Sequence, residues 1–562
     1  MTALPPFALF YLAALAAALT RGHLRSAVLV ATPLLGALNL WWLPVDATLS
    51  HSLFNLSLEW LRIDRLSLLF GYLFHIAALI GLIYALHVRD TLQQVSALLY
   101  AGSALGAVFA GDLLTFFLFW EGMALTSVCL VWARRSPAAY SASVRYLVIQ
   151  IVSGLLLLTG ILLLWRNSGS LSFGLIGTSQ VYGWLILAAL GLKAAFPLLH
   201  SWLVDAYPEA TPTGTVFLSA FTTKVAIYAL ARGFPGTELL VYVGATMACF
   251  PIFFAVVEND LRRVLAYSLV NQLGFMVVGI GIGSQLAING AVAHAFTDVI
   301  FKGLLFMSMG AVLTMTGRIN GSELGGLYKT MPRTTLLCIV GAASISAFPL
   351  FSGFVSKSMI MSAALKADYN GVWLLLLFAS AGVFHHAGIK IPYFAFFAHD
   401  SGIRVSDPPG NMQLAMLIAA VLCIAIGVFP GVLYSALPFD VAYTPYDVTH
   451  VLTQLQLLLF SALAFVWLNR RGLYPPELNA VHLDVDWSYR RLLPALARRV
   501  IAVIEAIDQR LRQFGQRLLQ QLLDLARHLY SPGGVLSRDV GTGTMVLWVA
   551  LLLAVYLFLS FT

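Results

Sequence analysis

Residues 191–198 read GLKAAFPL, and residues 347–350 repeat the last four letters as AFPL. Each copy lies in an apolar segment, where a proline removes a backbone hydrogen bond and clashes with the preceding helical turn. Helices broken at corresponding positions of two halves are typical of transporters with internal repeats, in which the freed backbone lines a cavity near mid-membrane. Two ordinary proline kinks explain the same four letters equally well.

The composition around these segments is that of a membrane protein. Of 562 residues, 60% are hydrophobic and 10% are charged, whereas soluble domains carry about 25% charged residues. Apolar runs of bilayer-spanning length recur from end to end, and we count about sixteen. The first, residues 5–19, has no basic segment before it and no convincing cleavage site, so it is predicted to be a retained span. The sequence predicts an all-α, polytopic membrane protein.

Arginines at the ends of the apolar runs predict its orientation. Most of them lie in loops after odd-numbered runs, which the positive-inside rule places on the cytoplasmic side, with both termini outside. Asp260 and the two arginines after it are interpreted as topogenic. The inner arginines are Arg21, Arg25, Arg89, Arg134, Arg135, Arg262, Arg263, Arg318, Arg333, Arg470 and Arg471, and the exceptions on the other side are Arg62, Arg65 and Arg166.

Five of the seven lysines lie inside the apolar runs: Lys193, Lys224, Lys302, Lys357 and Lys390. An ionisable group in hydrocarbon is costly, so it tends to face the protein interior or a wet path and to have a task there. Lysine suits proton exchange because burial can make it give up its proton, whereas arginine stays charged. The pattern indicates movement of protons or cations through a membrane. For Lys357 and Lys390, a snorkelling amine at the membrane surface is the competing interpretation.

Glu121 lies in the apolar run LLTFFLFWEGM, residues 113–123. A carboxylate keeps its charge there only beside a basic partner, and Lys193 is the best candidate. If the two meet, each retains the charge of the other, and separating them favours proton release from the lysine. A purely structural ion pair is the alternative, although such pairs stabilise weakly.

His294, Asp298 and Lys302 recur every four residues and so lie near one face of a helix. Their side chains are predicted to reach one another directly or through water. A histidine that titrates near neutrality beside a charged pair suits a proton relay. The secondary candidates are His200, His385, His386 and Asp112, of which Asp112 begins a span where a carboxylate is favoured in any case.

No catalytic or cofactor-binding pattern accompanies these residues. The cysteines, Cys129, Cys249, Cys338 and Cys423, are isolated in apolar runs and form no metal set. The glycines of residues 279–283 follow no strand, so helix packing explains them better than a nucleotide loop. We therefore predict no cofactor, no metal site and no nucleic-acid partner.

The C-terminal region differs in character. Across residues 494–530, apolar residues recur every three or four positions and arginines and glutamines fill the opposite face. Such a helix lies along a membrane surface or a neighbouring subunit. We divide the chain into N-terminal helices (1–90), two repeats (91–233 and 234–400), further transmembrane helices (401–470), the lateral-helix region (471–534) and a final span (535–562).

Six stretches together resemble the antiporter-like subunits shared by respiratory complex I and Mrp-type cation/proton antiporters. They are residues 117–121, Lys193 with 200–206, 211–213, 260–268, 294–306, and 353–354 with 356–357. The resemblance implies two inverted five-helix repeats with broken helices, and a glutamate–lysine pair that feeds a central chain of lysines. Glu121 and Lys193 match that pair, Lys302 with His294 matches the central lysine, and Lys357 matches the exit-side lysine.

The chain departs from the family pattern at three places. Asp298 stands where many relatives have a second histidine, and we expect it to hold Lys302 in its charged form. Ser358 follows the exit lysine where some relatives have an acid, and Pro197 falls one residue early. Lys224 looks like the D-type subunit of Mrp antiporters, whereas the long amphipathic helix looks like the distal subunit of complex I.

The resemblance implies a proton-translocating subunit in the bacterial inner membrane. Its expected partners are other membrane subunits, the lipid bilayer and protons, with sodium as a second cargo. Cation/proton antiport is the first expectation. The alternatives are the pumping subunit of a quinone- or hydrogen-linked redox complex, and a proton channel that energises an inorganic-carbon uptake complex with a zinc-dependent partner. A scaffold that has lost conduction is the non-transport alternative.

Overall fold

A computed structural model describes residues 4–53, 56–478, 483–537 and 540–561. The chain divides into two compact units, Met1–His482 and Leu483–Thr562. The first half of the chain contains α1 (Pro6–Leu19), α2 (Gly22–Trp42), β1 (Thr48–Leu53), β2 (Leu56–Arg62), α3 (Arg65–Tyr84), α4 (Thr91–Phe109), α5 (Leu113–Trp132), α6 (Pro137–Ser168), α7 (Val181–Lys193), α8 (Ser201–Glu209), α9 (Pro212–Ala220), α10 (Thr222–Gly233), α11 (Leu239–Val257) and α12 (Leu261–Ile282).

The second half is also helical. It contains α13 (Gln285–Thr316), α14 (Pro332–Ile345), α15 (Ser352–Lys366), α16 (Asn370–Val383), α17 (Gly410–Val428), α18 (Pro430–Ser435), α19 (Val448–Arg470), α20 (Leu493–Tyr530) and α21 (Thr542–Phe561). Within the described residues, 13 helices are long and apolar enough to cross a membrane, and α1, α7 and α14 are shorter apolar helices. The predicted polytopic helical fold is confirmed, while the count of sixteen spans, the inverted repeats and the domain boundaries stay predictions.

The sequence pattern did not predict the β-hairpin between α2 and α3. Strands β1 and β2 pair antiparallel, and the loop before α5 extends their hydrogen bonding, because Gly111 N donates to Glu59 O at 2.9 Å. Glu59 N in turn donates to Asp112 Oδ2 at 2.7 Å. The hairpin therefore holds the start of α5, the helix that carries Glu121.

Helix α13 lies at the centre of the first unit. It begins at the N-cap Ser284 and ends at Gly317, whose φ of 70° is a left-handed conformation that glycine adopts without strain. It packs against α9, α12, α14, α15 and α17. Helices that are apolar all round are buried ones, so the three polar residues of α13 singled out above face protein on every side.

The two AFPL segments form the same turn. Ala195 and Leu198 have φ values of 60° and 70°, and Ala347 and Leu350 have 55° and 73°. The backbone hydrogen bonds also correspond. Phe196 N to Gly191 O (2.9 Å) matches Phe348 N to Ala343 O (3.0 Å), Ala195 N to Leu192 O (3.2 Å) matches Ala347 N to Ser344 O (3.0 Å), and Leu199 N to Phe196 O (2.9 Å) matches Phe351 N to Phe348 O (3.1 Å).

This congruence confirms that a proline-containing turn breaks both helices, the first between α7 and α8 and the second between α14 and α15. A third interruption separates α9 from α10 at Phe221. In addition, the helix that continues α16 becomes π-helical over Phe384–Lys390 and Tyr393–Phe397. Such interruptions free backbone carbonyls for other donors.

The second unit contains the predicted amphipathic helix. Helix α20 covers Leu493–Tyr530, close to the predicted 494–530, and follows a π-helical turn at Ser488–Leu492. Its 38 residues correspond to roughly 57 Å at 1.5 Å per residue. Helix α21 provides the predicted final span.

A candidate proton pathway of buried lysines

Lys193 lies at the end of α7, immediately before the first broken turn. Its ammonium donates to Trp120 O at 2.8 Å and lies 4.0 Å from the centre of the Trp120 ring. Glu121 is the next residue on α5, and the two charges interact electrostatically. Because the Trp120 carbonyl and ring engage the ammonium, no direct ion pair joins Lys193 to Glu121 in the described part of the chain. The predicted partners are therefore neighbours without direct contact.

Space for the Glu121 carboxylate comes from a glycine on the neighbouring helix. A Cβ atom at Gly154 of α6 would overlap Glu121 Oε1, so only glycine leaves room there. That oxygen has no hydrogen-bond partner among the described residues. The carboxylate is thus held in a gap that Gly154 creates, free to meet a proton carrier.

Lys224 and Asp298 form a fully buried ion pair. Lys224 Nζ lies 2.6 Å from Asp298 Oδ2, and both side chains are 0% exposed. Lys224 also donates to Ser219 O at 3.2 Å, a carbonyl beside the interruption between α9 and α10. The pair joins α10 to the central helix α13.

The expectation that Asp298 binds Lys302 was wrong. Lys302 Nζ donates instead to Ser268 Oγ on α12, at 2.5 Å. Residues four apart share a helix face, but their side chains can turn toward different neighbouring helices, and here Lys224 supplies the amine. Lys302 lacks a direct carboxylate partner within the described ranges.

His294 connects three helices. Its Nδ1 lies 2.9 Å from Ser356 Oγ of α15, and its Nε2 lies 3.1 Å from Gln272 Oε1 of α12. Ser356 Oγ is also 2.8 Å from Thr297 Oγ1. Hydroxyl groups can donate and accept in turn, so the histidine stands in a hydrogen-bonded network that can pass a proton.

Lys357 is buried rather than snorkelled to a surface. Its side chain reaches the second broken turn, where Nζ donates at 3.1 Å to the carbonyl of Ile345, the last residue of α14. The ammonium also lies 5.0 Å from the centre of the Phe275 ring. The two broken turns thus each have one buried lysine beside them, Lys193 on the N-terminal side of the first and Lys357 on the C-terminal side of the second.

Lys390 is also buried, at the π-helical end of the α16 span. Its ammonium donates to Val256 O at 2.7 Å and to Glu258 O at 2.6 Å. It also lies 2.9 Å from Glu477 Oε1. This oxygen cage argues against a surface anchor, and Glu477, far away in sequence, was not among the predicted site residues.

The secondary candidates lie in different settings. His386 is buried and neither ring nitrogen has a hydrogen-bond partner among the described residues, whereas His385 stacks on Tyr474 at 5.4 Å. His200 is buried against Phe250, with ring centres 4.6 Å apart. Asp112 caps α5 by accepting from Thr115 N (2.8 Å) and Thr115 Oγ1 (2.6 Å), so its carboxylate has a structural task.

Arg262 is not a surface topogenic residue, which corrects the sequence interpretation. It is 1% exposed and donates to the carbonyls of Pro208 at 2.9 Å, Ala210 at 3.0 Å and Tyr207 at 3.3 Å. It therefore satisfies the last carbonyls of α8, which a helix end leaves unpaired. Asp260 caps α12 through Arg262 N and Arg263 N.

The arrangement has the chemistry of a proton path. The five buried amines, which we term the lysine row, lie in the first unit together with the His294 network and the carboxylates of Glu121, Asp298 and Glu477. Within the described ranges, no three His, Cys, Asp or Glu side chains converge as a metal site. Amines, carboxylates and hydroxyls that hold or pass protons are the functional groups available here.

Residues 110–385 match the family described as NADH:quinone oxidoreductase/Mrp antiporter, transmembrane. This stretch is an antiporter-like membrane domain of that family. The match contains both broken turns and every member of the lysine row except Lys390, and it confirms the resemblance drawn from the sequence motifs.

The curated relatives are named as antiporter subunits. The chain is 30% identical over 424 residues to the A subunit of a Na(+)/H(+) antiporter of Alkalihalophilus pseudofirmus, covering 66% of this chain and 52% of the relative. It is 30% identical over 309 residues to the D subunit named for that organism, covering 50% and 62%. A probable K(+)/H(+) antiporter A/B subunit of Rhizobium meliloti is 29% identical over 406 residues, covering 66% and 40%. The chain spans about half the length of the first of these relatives.

Solved structures show the same fold. A chain of the Mrp complex from Dietzia has a TM-score of 0.76 and 25% identity, over 89% of this chain and 60% of that one. The archaeal membrane-bound sulfane sulfur reductase has a chain with a TM-score of 0.72 and 22% identity, over 98% and 99%. Respiratory complex I from Thermus thermophilus gives 0.69 and 20%, over 82% and 98%.

Proposed function

We propose that this chain is a proton-translocating subunit of a multisubunit cation/proton antiporter in the bacterial inner membrane. The observation that carries the proposal is the lysine row, five buried amines that begin beside one broken turn and continue past the other. Burying so many ionisable groups is costly and gives little stability, so a task in ion movement explains them better than structure does.

In the proposed pathway, a proton enters at Glu121 and Lys193 and moves along Lys224, Asp298, Lys302 and the His294 network. Lys357 and Lys390 continue the row. Each transfer changes the charge next to its neighbour, and charges interact strongly in a medium of low dielectric constant. A proton arriving at Glu121 therefore disturbs Lys193, and the disturbance propagates from pair to pair.

The partners we propose are other membrane subunits, because the curated relatives are themselves named as antiporter subunits. Sodium and potassium are the cations printed in those names. We extend to this chain only the class, a monovalent cation exchanged for protons.

The pumping subunit of a redox-linked membrane complex is the second candidate. It is favoured by the family description, which names NADH:quinone oxidoreductase beside the Mrp antiporter. The two candidates differ in the driving reaction. The complex purified through a tag on this chain contains either small antiporter-type subunits or a redox module, and mass spectrometry of the co-purified subunits separates them.

The test of proton translocation uses that purified complex in liposomes with a pH-sensitive dye inside. A sodium or potassium gradient should drive a change of internal pH, and Glu121→Gln or Lys193→Ala should reduce it to the level of empty liposomes while the complex stays assembled. Glu238→Gln and Lys366→Ala are matched controls, because both residues are exposed. Full activity in both pathway variants would rule out the Glu121/Lys193 station.

A further inference from the structure

The segment that follows α19 brings a carboxylate onto the last lysine of the row. We call residues 471–478 the α19 tail. Glu477 of this tail and Lys390 are in contact at 2.9 Å, with side chains 6% and 0% exposed. Lys390 also donates to two backbone carbonyls, Val256 O and Glu258 O. The tail therefore supplies the carboxylate that lies in direct contact with the Lys390 ammonium.

Aromatic packing fixes the position of the tail. Three residues before Glu477, the Tyr474 ring stacks on His385 at 5.4 Å and packs on Phe465 at 5.2 Å. Tyr474 N also donates to Leu468 O at 3.2 Å. Because His385 lies on the same π-helical segment as Lys390, the tail is clamped to the segment that carries the lysine it faces.

The Glu477 carboxylate depends on the Lys390 ammonium. Apart from that ammonium, neither carboxylate oxygen has a polar partner among the described residues. A buried acid normally collects several donors, so this one is held by the ion pair and by the Tyr474 clamp. Moving the tail would break few hydrogen bonds, yet it would leave an uncompensated charge on Lys390, which is strongly unfavourable when buried.

A free acceptor lies beside the lysine on the other side. His386 precedes Lys390 by four residues, and its buried ring nitrogens have no hydrogen-bond partner within the described ranges. Its electrostatic neighbours include Lys302 and Lys390. The histidine therefore lies between the central lysine and the end of the row.

We propose that Glu477 gates proton release at Lys390. The proposal rests on the proposed function above and adds a positioning residue to it. With the tail in place, the carboxylate keeps Lys390 charged and the row closed at this end. When the tail moves away, an Nζ–H bond breaks and the proton passes to a water molecule that enters from the tail side. The neutral amine then takes a new proton from the row through His386.

Glu477→Gln tests the gate in the purified complex in liposomes. The variant keeps the shape of the side chain and removes its charge. We expect proton leakage without a cation gradient to rise by roughly tenfold, because an opposite charge within about 4–6 Å changes the protonated fraction of its partner by that factor or more. Glu477→Asp should stay close to the unaltered protein. Unchanged leakage in Glu477→Gln would overturn the proposal.

A double variant separates gating from loosened packing. In Glu477→Gln combined with Lys390→Met, the leak should disappear, because the proton it releases has no carrier. A leak that persists in the double variant would show that the tail merely seals the protein, and the gate would be wrong. The double variant also leaves no unpaired charge, so it should assemble even where a single one is unstable.

The clamp offers an independent variant. Tyr474→Ala leaves Glu477 intact but removes the ring that positions it, so it should leak as Glu477→Gln does. Tyr474→Phe should behave as the unaltered protein, because the Tyr474 hydroxyl has no partner among the described residues. Failure of the two proposals is distinguishable: if Glu121→Gln abolishes driven transport but Glu477→Gln does not leak, only the gate fails.

Discussion

The Lys224–Asp298 pair is the most deeply buried charge contact in the described part of the chain, and its surroundings explain what it can do. Surface ion pairs contribute little because water screens them. Here both side chains are fully buried and the contact is 2.6 Å, so each charge depends on the other. Such a pair is poised: losing or gaining one proton on either member changes the electrostatics of the whole neighbourhood.

Removing one member of this pair should destabilise the protein strongly. Lys224→Met or Asp298→Asn alone should lower the free energy of unfolding by about 3–5 kcal/mol, because the remaining charge is buried without a partner. The double variant Lys224→Met/Asp298→Leu should recover most of that loss but conduct no protons. Thermal unfolding of the detergent-solubilised protein measures the first effect and the liposome assay the second. Equal stability in all three variants would contradict the pair.

Arg262 should matter for stability rather than for transport. Arg262→Gln removes the donors of three carbonyls at the end of α8, so we expect the free energy of unfolding to fall by about 2–4 kcal/mol. Arg263→Gln is the matched control, since its side chain is 36% exposed and should cost little. Comparable unfolding temperatures for the two variants would refute the capping role.

At the residue scale, the sequence predicted which side chains are buried better than whom they meet. An amine inside an apolar run is visible in the sequence itself, which is why Lys193, Lys302 and Lys357 were found. Partners on other helices are not visible, because periodicity relates residues within one helix only. Asp298 was therefore assigned to Lys302 instead of Lys224, and Glu477 was not assigned at all.

At the element scale, the matched broken turns are the most informative feature. Four residues other than glycine have left-handed backbone in them, Ala195, Leu198, Ala347 and Leu350. Each such residue costs roughly 1–2 kcal/mol in conformational energy. Keeping this strain in both halves is consistent with a function for the turn, which exposes the end carbonyls of α7 and α14 to neighbouring donors.

Glycine at the strained positions should be tolerated even though it deletes a large side chain. Leu198 and Leu350 are 70% and 56% exposed, so Leu198→Gly or Leu350→Gly loses little packing and relieves about 1 kcal/mol of strain. Leu162→Gly is the control: it is similarly exposed, at 52%, but lies inside α6 and should cost about 1 kcal/mol. The three unfolding temperatures decide the matter, and an equal loss in all three would contradict the strain.

Local chemistry explains which elements could be predicted. The apolar runs, the two prolines and the amphipathic pattern of residues 494–530 each act within one segment, and all three were found in the structure. The β1–β2 hairpin was missed because its pairing depends on Glu59 meeting Gly111 and Asp112, which lie far along the chain. The π-helical turns at residues 384–397 likewise have no signal in the hydrophobic pattern.

At the scale of the whole molecule, the orientation remains a prediction from the arginines. Helix α6 offers a direct test because its 32 residues extend about 48 Å, enough to place its ends on opposite sides. In a variant without the four cysteines, Ala138→Cys should react with an impermeant maleimide only in inside-out vesicles, and Asn167→Cys only in right-side-out ones. Both residues are exposed. The reverse labelling would invert the topology.

Counting outward from the two matched turns gives the halves a common register with unlike occupants. Lys193 corresponds to Ile345, and Asp205 corresponds to Lys357. A symmetric frame with an amine at one end of the first turn and an amine at the opposite end of the second cannot treat traffic in both senses alike. The molecule is built in the manner of an electrical rectifier: its duplicated scaffold supplies the wire, and the mismatch in charge supplies the preferred direction of current.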